Sequence, residues 1–214
     1  MPRRVLPLTR RLMPGSPVDP AGPQRSHGVA AVPQLDRLLP IAHDGTVLRR
    51  FRPDDLSRFH DYRSDAVLAT YQGWSVMSAD EARRFVERMA AEASLPRGDW
   101  VQLAVADAEN DRLLGDVGIH VEADGHAAEI GFTLCRQAQG RGHAVRAVRS
   151  ALALIFASTA VERVRAVTDA RNAPSMRLLE RAGFAREAER QAFFKGERCR
   201  EFVYACRRRA PERG

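Results

Sequence analysis

The segment HAAEIGFTL (126–134) alternates apolar and polar residues like a strand. The glycine-bearing loop RQAQGRGHA (136–144) follows, then a helical apolar pattern over about 143–159, then the strand-like VERVRAVTD (161–169). No other feature limits the fold so strongly. Two strands joined through a helix of this length lie parallel in one sheet, and the helix crosses one face in the right-handed sense. A purely antiparallel barrel or a helical bundle is thereby excluded.

The remaining pattern is mostly antiparallel. TVLRRF, from Thr46, reads as a first strand, and PDDLSRFHDYRSD as a helix opened by Pro53 and acidic residues. ATYQGW is an aromatic loop. SADEARRFVERMAAEA begins with Ser78 and Glu81, three apart as in a capping box, and repeats apolar residues at Ala82, Phe85, Val86 and Met89. WVQLAVADA (100–108) and RLLGDVGIHVE (112–122) are strands, separated from each other and from the next by ENDR and ADG turns. After the crossover, APSMRLLERAGF is a short helix closed by Gly183. Two last strands turn at Lys195–Gly196. The expected fold is one α+β domain. It has a mixed, mostly antiparallel sheet of about six to seven strands, helices on both faces and one βαβ crossover.

Residues 1–40 hold eight of the twelve prolines and lack a sustained apolar period, so they read as a disordered extension. The domain is placed at 41–207 and a basic tail at 208–214. Four arginines and no acid in the first eighteen residues suggest a transit peptide, but Pro2, Pro7, Pro14 and Pro17 oppose a targeting helix. Met13 is an alternative start. The net charge of +7 sits in the two ends, since residues 41–206 carry 24 basic and 24 acidic residues. Nucleic acid is therefore an unlikely partner. No run approaches the about 20 apolar residues of a membrane span. Cys135, Cys199 and Cys206 form no CxxC, which suggests reduced thiols and a cytoplasmic setting. The histidines show no metal spacing.

A helix start presents unpaired N–H groups and a positive dipole end, and glycine lets backbone approach a ligand closely. Gln139, Gly140, Arg141, Gly142, His143 and Ala144 supply these features for a pyrophosphate, with Arg141 as an added cation. A P-loop is absent, and Val145 stands where a dinucleotide fingerprint needs its third glycine. A ligand-free strand-to-helix turn is the plain alternative.

Two motifs in order decide more than either alone. Gln139-x-x-Gly142-x-Ala144 after EIGFTLCRQA resembles the acetyl-CoA loop of the GCN5-related N-acetyltransferase superfamily. NAPSMRLLERAGF (172–184) resembles its Asn-x-x-Ser signature. VLRRFRPDDL resembles its opening strand and helix. The resemblance spans about 45–207 and is nearest to the ribosomal-protein N-terminal acetyltransferases. Where that branch has Pro and an aromatic before the Gln, this chain has Arg136 and Ala138.

The resemblance implies direct acetyl transfer from acetyl-CoA to an amine in a ternary complex, without a metal. Backbone groups of Phe132, Thr133 and Leu134 would hold the pantetheine. Alternation puts Ile130, Phe132 and Leu134 on one face, read as core, and Glu129, Gly131 and Thr133 on the other, facing the acceptor. Glu129 is the candidate base, or else a salt-bridged strand carboxylate. Ser175 would protonate the leaving thiolate, or only cap its helix; Asn172 would bond the pantetheine arm, or cap. Tyr71 and Trp74 border the acceptor site or the core, and Tyr204 is structural. A protein N-terminus is the first acceptor. A small amine such as an aminoglycoside, polyamine or amino-acid derivative is the second, and a non-catalytic CoA-binding protein the third reading.

Overall fold

The computed structural model describes residues 32–209. The expectations for residues 1–31, Met13 among them, and for 210–214 lie outside it. Eight strands form one sheet: β1 (Ile41–His43), β2 (Thr46–Arg49), β3 (Trp100–Asp107), β4 (Leu113–Val121), β5 (Ala127–Leu134), β6 (Arg163–Asp169), β7 (Ala185–Phe194) and β8 (Glu197–Arg207). Their order is β1-β2-β3-β4-β5-β6-β8-β7. Only β5 and β6 pair in parallel. The α+β reading and its single crossover hold, with one strand more than expected. That strand, β1, is three residues long, too short to show a period of two. A turn through Asp44 and Gly45, both at positive φ, folds it onto β2.

Five helices cover the sheet: α1 (Leu56–Arg63), α2 (Ala66–Ala69), α3 (Ala79–Ala91), α4 (His143–Ser158) and α5 (Ala173–Ala182). The capping box of α3 forms, with Ser78 N donating to Glu81 Oε2 at 2.8 Å and Glu81 N to Ser78 Oγ at 3.3 Å. Its apolar stripe packs on α1, where the Phe85 and Phe59 rings stack at 4.8 Å. On the other face α4 buries Val145, Val148, Leu152 and Ile155 against the sheet. Gly183, at φ 99°, ends α5 in the left-handed conformation that glycine adopts most easily.

The folded region starts earlier than residue 41. Leu35 is fully buried in the core, and its N–H donates to Ala93 O at 2.7 Å. Leu35, Leu38 and Leu39 recur at helical spacing, but Pro33 and Pro40 bound the stretch to about one turn, so only its tertiary contacts show that it joins the core. At the other end, Arg208 donates from Nη2 to the carbonyls of Thr159 (2.7 Å) and Val161 (2.8 Å), and so belongs to the fold rather than to a tail.

Arg49, at the end of β2, joins three segments. It is 4% exposed and grips Asp55 through Nη1 (2.8 Å) and Nη2 (2.9 Å), and Asp111 of the β3–β4 turn through Nε (2.7 Å). Asp55 also accepts from Arg52 N at 2.9 Å, which sets the entry into α1. Removing Asp55 leaves the buried Arg49 with Asp111 as its one carboxylate and takes away two of its charged hydrogen bonds together with the acceptor of Arg52 N. Asp55→Ala is expected to lower stability by about 3–5 kcal/mol in urea denaturation; a loss below about 1 kcal/mol would refute this role for the pair.

Candidate active site

Strands β5 and β6 pair at only three positions, Ala127↔Arg163, Ala128↔Val164 and Glu129↔Arg165. Beyond them β6 continues beside β8 as far as Asp169↔Glu201, while β5 stays with β4. A gap opens between two strands in the middle of the sheet. Cys135 N donates to Leu114 O at 2.8 Å, so the peptides of Thr133, Gly131 and Glu129 also point to β4. Those of Ile130, Phe132 and Leu134 point into the gap. Gln72 Nε2 donates to Phe132 O at 3.3 Å and Gln139 Nε2 to Leu134 O at 3.0 Å. Of the three backbone contacts expected for a pantetheine arm, Phe132 and Leu134 are available. Thr133 is corrected: the ladder with β4 uses its peptide.

The loop at the end of β5 is built as its composition suggests. Arg136–Ala138 form a single 3₁₀ turn, and Gly140 and Gly142 take φ 77° and 82°. Gly142 is the N-cap of α4, and the N–H groups of His143, Ala144 and Val145 precede the first helical bond. Arg146 Nη1 donates to Arg141 O at 2.9 Å and sits 2.8 Å from where a Gly142 Cβ would lie. Arg141 is exposed beside it. The His143 ring turns away and shares a 2.8 Å bond with Thr46 Oγ1. Burial, then the Arg146 charge, lowers its pKa, so it brings a backbone donor rather than a cation. The donors suit a pyrophosphate, and the gap's amide edge suits an amide-bearing arm.

On the opposite face lies a cleft lined by Arg63, Trp74, Trp100, Gln102, Asp116 and Thr133, among others. Gly131 and Gly118 also line it; nothing lies within 4 Å of a Gly131 Cβ, so the missing side chain there helps to open the cleft, whereas the Gln102 side chain fills the space at Gly118. Glu129 lies next along this face but is not part of the lining. It is 1% exposed, and both carboxylate oxygens are buried with no hydrogen-bond partner. Burial raises its pKa to about 7; Arg165 and Arg190 oppose this, and Glu122 and Glu201 add to it. The two arginines help little because each already has a carboxylate, Arg165 on Glu122 and Arg190 on Glu201. The expectation of a salt-bridged strand carboxylate therefore fails.

Asn172 caps α5 by accepting from Ser175 N at 3.2 Å through Oδ1, as the plainer reading expects. Its amide nitrogen is left for another partner. Ser175 is half-buried in the first turn of α5, which follows β6 on the far side of the gap. Tyr204 is buried and donates to Glu180 at 3.2 Å, a structural role.

Sequence reasoning missed how the 65–74 loop is held. Asp65 caps α2 and binds Arg136 Nη2 at 2.7 Å, so Arg136 ties this loop to the turn that precedes α4. Arg136 is also the first cause of the lowered Asp65 pKa. From the other side Lys195, at the tip of the β7–β8 hairpin, donates to Ala69 O (2.5 Å) and Trp74 O (2.9 Å). Tyr71 is partly exposed with Arg171 5.9 Å from its ring, while Trp74 is buried. These partners lie 71 to 126 residues apart, and no local pattern signals them. Among the described residues no cluster of His, Cys, Asp and Glu is arranged for a metal, and no helix is long and apolar enough to cross a membrane.

A family model described as an acetyltransferase (GNAT) domain matches residues 46–185. An uncharacterized N-acetyltransferase, p20, of Bacillus licheniformis is 27% identical over 141 residues, covering 65% of this chain and 79% of the relative. Two solved structures share the fold. Spermidine N-acetyltransferase from Vibrio cholerae, in complex with CoA and spermine, has TM-score 0.64 at 19% identity over 76% of this chain and 95% of its own. The ribosomal-protein-S5-alanine acetyltransferase from Vibrio fischeri has TM-score 0.65 at 19% identity over 79% and 96%. The match over residues 46–185 shows that the chain belongs to the GNAT acetyltransferase family and is an N-acetyltransferase that takes acetyl-CoA as co-substrate.

Proposed function

We infer that the acceptor is an α-amine of the kind found at a protein N-terminus, and that Glu129 takes its proton. The observation that carries this reading is geometric: Glu129, next along the strand from the cleft lining, keeps both carboxylate oxygens buried without a partner, and that burial raises its pKa to about 7. Proton transfer to such a base from an α-ammonium of pKa ~8 is uphill by about 1.4 kcal/mol. From a lysine-like ammonium of pKa ~10.4 it is uphill by about 4.6 kcal/mol. The buried base therefore suits the weaker amine.

Bound acetyl-CoA supplies the thioester. Amides at the start of α4, with Arg141, hold its pyrophosphate, and the gap-facing N–H groups of Phe132 and Leu134 hold the pantetheine arm. The free Asn172 amide nitrogen donates to the same arm. A gap-facing N–H of β5 stabilises the oxyanion as the amine nitrogen bonds to the acetyl carbon. The amine proton passes to Glu129 through a water, since Glu129 lies behind the cleft lining. The carbon–sulfur bond breaks, the departing thiolate takes the Ser175 hydroxyl proton, and Ser175 regains a proton from the nitrogen of the collapsing adduct. Trp74 shapes the acceptor wall.

Two variants test these roles. Glu129→Gln is expected to lower kcat/KM for an N-terminal peptide by about 10²–10⁴-fold and to remove the rise in rate through about pH 7. The same variant has a stability signature. The folded pKa lies above the unfolded value of 4.5, so ionising Glu129 penalises the native state as pH rises from 4.5 and fully above about 7. Relative to wild type, Glu129→Gln should gain about 3 kcal/mol between about pH 4.5 and pH 8.5. A pH-independent difference would show that Glu129 is not perturbed. Gly142→Glu places a charge and a strained side chain at the phosphate amides. By isothermal titration it should weaken acetyl-CoA binding at least tenfold, by roughly the worth of a helix-terminus charge; unchanged affinity in the folded variant would remove that site.

A further inference from the structure

The floor of the acceptor cleft has more hydrogen-bond donors than acceptors. Arg63, in the last turn of α1, is 1% exposed. Its Nη2 donates to both oxygens of Asp116 at 2.9 Å, and Tyr62 OH donates to Asp116 Oδ2 at 2.5 Å. Asp116, which lines the cleft, is thus fully engaged. Arg63 Nε and Nη1 are buried without partners. The Trp74 ring lies 4.5 Å from the guanidinium carbon, and its indole Nε1 is also buried without a partner. Arg63 and Trp74 both line the cleft. An unmet buried donor costs about 1–3 kcal/mol, so these groups favour an occupant that brings oxygen.

The donors are held in place. Cation–π stacking fixes the Trp74 ring over Arg63, and the Lys195 ammonium at 2.9 Å from Trp74 O anchors the backbone that carries it. No carboxylate in the lining is free to receive a second ammonium. A polyamine brings further donors to a site already rich in them. An α-aminoacyl amide brings a carbonyl oxygen on the carbon next to its amine-bearing carbon.

We propose that Arg63 and Trp74 form a specificity subsite that hydrogen-bonds the first carbonyl oxygen of the acceptor, selecting α-aminoacyl amides over alkylamines and polyamines. This rests on the α-amine reading above and adds the two residues that enforce it.

The experiment measures kcat/KM of the full chain with acetyl-CoA for three acceptors: alanine N-methylamide, sec-butylamine, which lacks the carbonyl, and spermidine. Trp74→Phe keeps the ring and deletes the N–H. The double variant Arg63→Gln/Asp116→Asn deletes the donor without stranding Asp116. Taking each variant against wild type cancels the different amine pKa values. Each variant should lower the ratio of kcat/KM for alanine N-methylamide to that for sec-butylamine about five- to tenfold, the worth of one hydrogen bond. Acetyl-CoA affinity should not change. An equal effect on both amines, or none on either, in either folded variant overturns the subsite while leaving the α-amine reading intact. Wild-type preference for spermidine, or no transfer to the amide by protein that binds acetyl-CoA, overturns both.

Discussion

The site depends on two strands parting. β5 and β6 share three register pairs and then diverge, because β6 keeps its ladder with β8 while β5 keeps its ladder with β4. A strand edge inside a sheet is costly unless its peptide groups find partners. Gln72 and Gln139 satisfy two carbonyls of that edge. The neighbouring N–H groups face a gap whose far bank is the end of β6 and the start of α5. The crossover puts the α4 N-terminus at the same end of β5, so an amide edge and a helix start adjoin.

Charge is arranged on the other face of the same strands so that one carboxylate is left over. Arg165 and Arg190 are bound to Glu122 and Glu201, Arg63 to Asp116, and Arg136 to Asp65. Glu129 sits among these pairs without joining one, and burial then governs its titration. Burial thus raises its pKa to about 7, against the opposing pull of Arg165 and Arg190. A free arginine beside it would return it to the ordinary carboxylate range.

Much of this was legible in the sequence wherever the cause is local. The capping box at Ser78 and Glu81, the stripe of α3, the glycine turn before α4 and the stop at Gly183 each lie within one element, and each formed. The parallel crossover followed from helix length alone. β1 was not legible because three residues carry no pattern, and the packing of Leu35 because a single turn of apolar spacing between Pro33 and Pro40 does not show what it packs against. The cleft floor was hidden for another reason. Arg63, Trp74 and Asp116 lie in a helix, an aromatic loop and a strand far apart in the chain, and only folding α1 and the 65–74 loop over β4 puts them together. Thr133 was misread because alternation tells which face a side chain takes, whereas the direction of its peptide depends on register with β4.

The central claim is that the gap-facing edge of β5 receives acetyl-CoA, and amide hydrogen exchange followed residue by residue reads it directly. With acetyl-CoA added, exchange at Phe132, Leu134, His143 and Ala144 should slow strongly, while Gly131 and Thr133, already bonded to β4, should change little. Protection spread evenly along β5, or confined to residues away from the gap and the α4 start, would contradict the account.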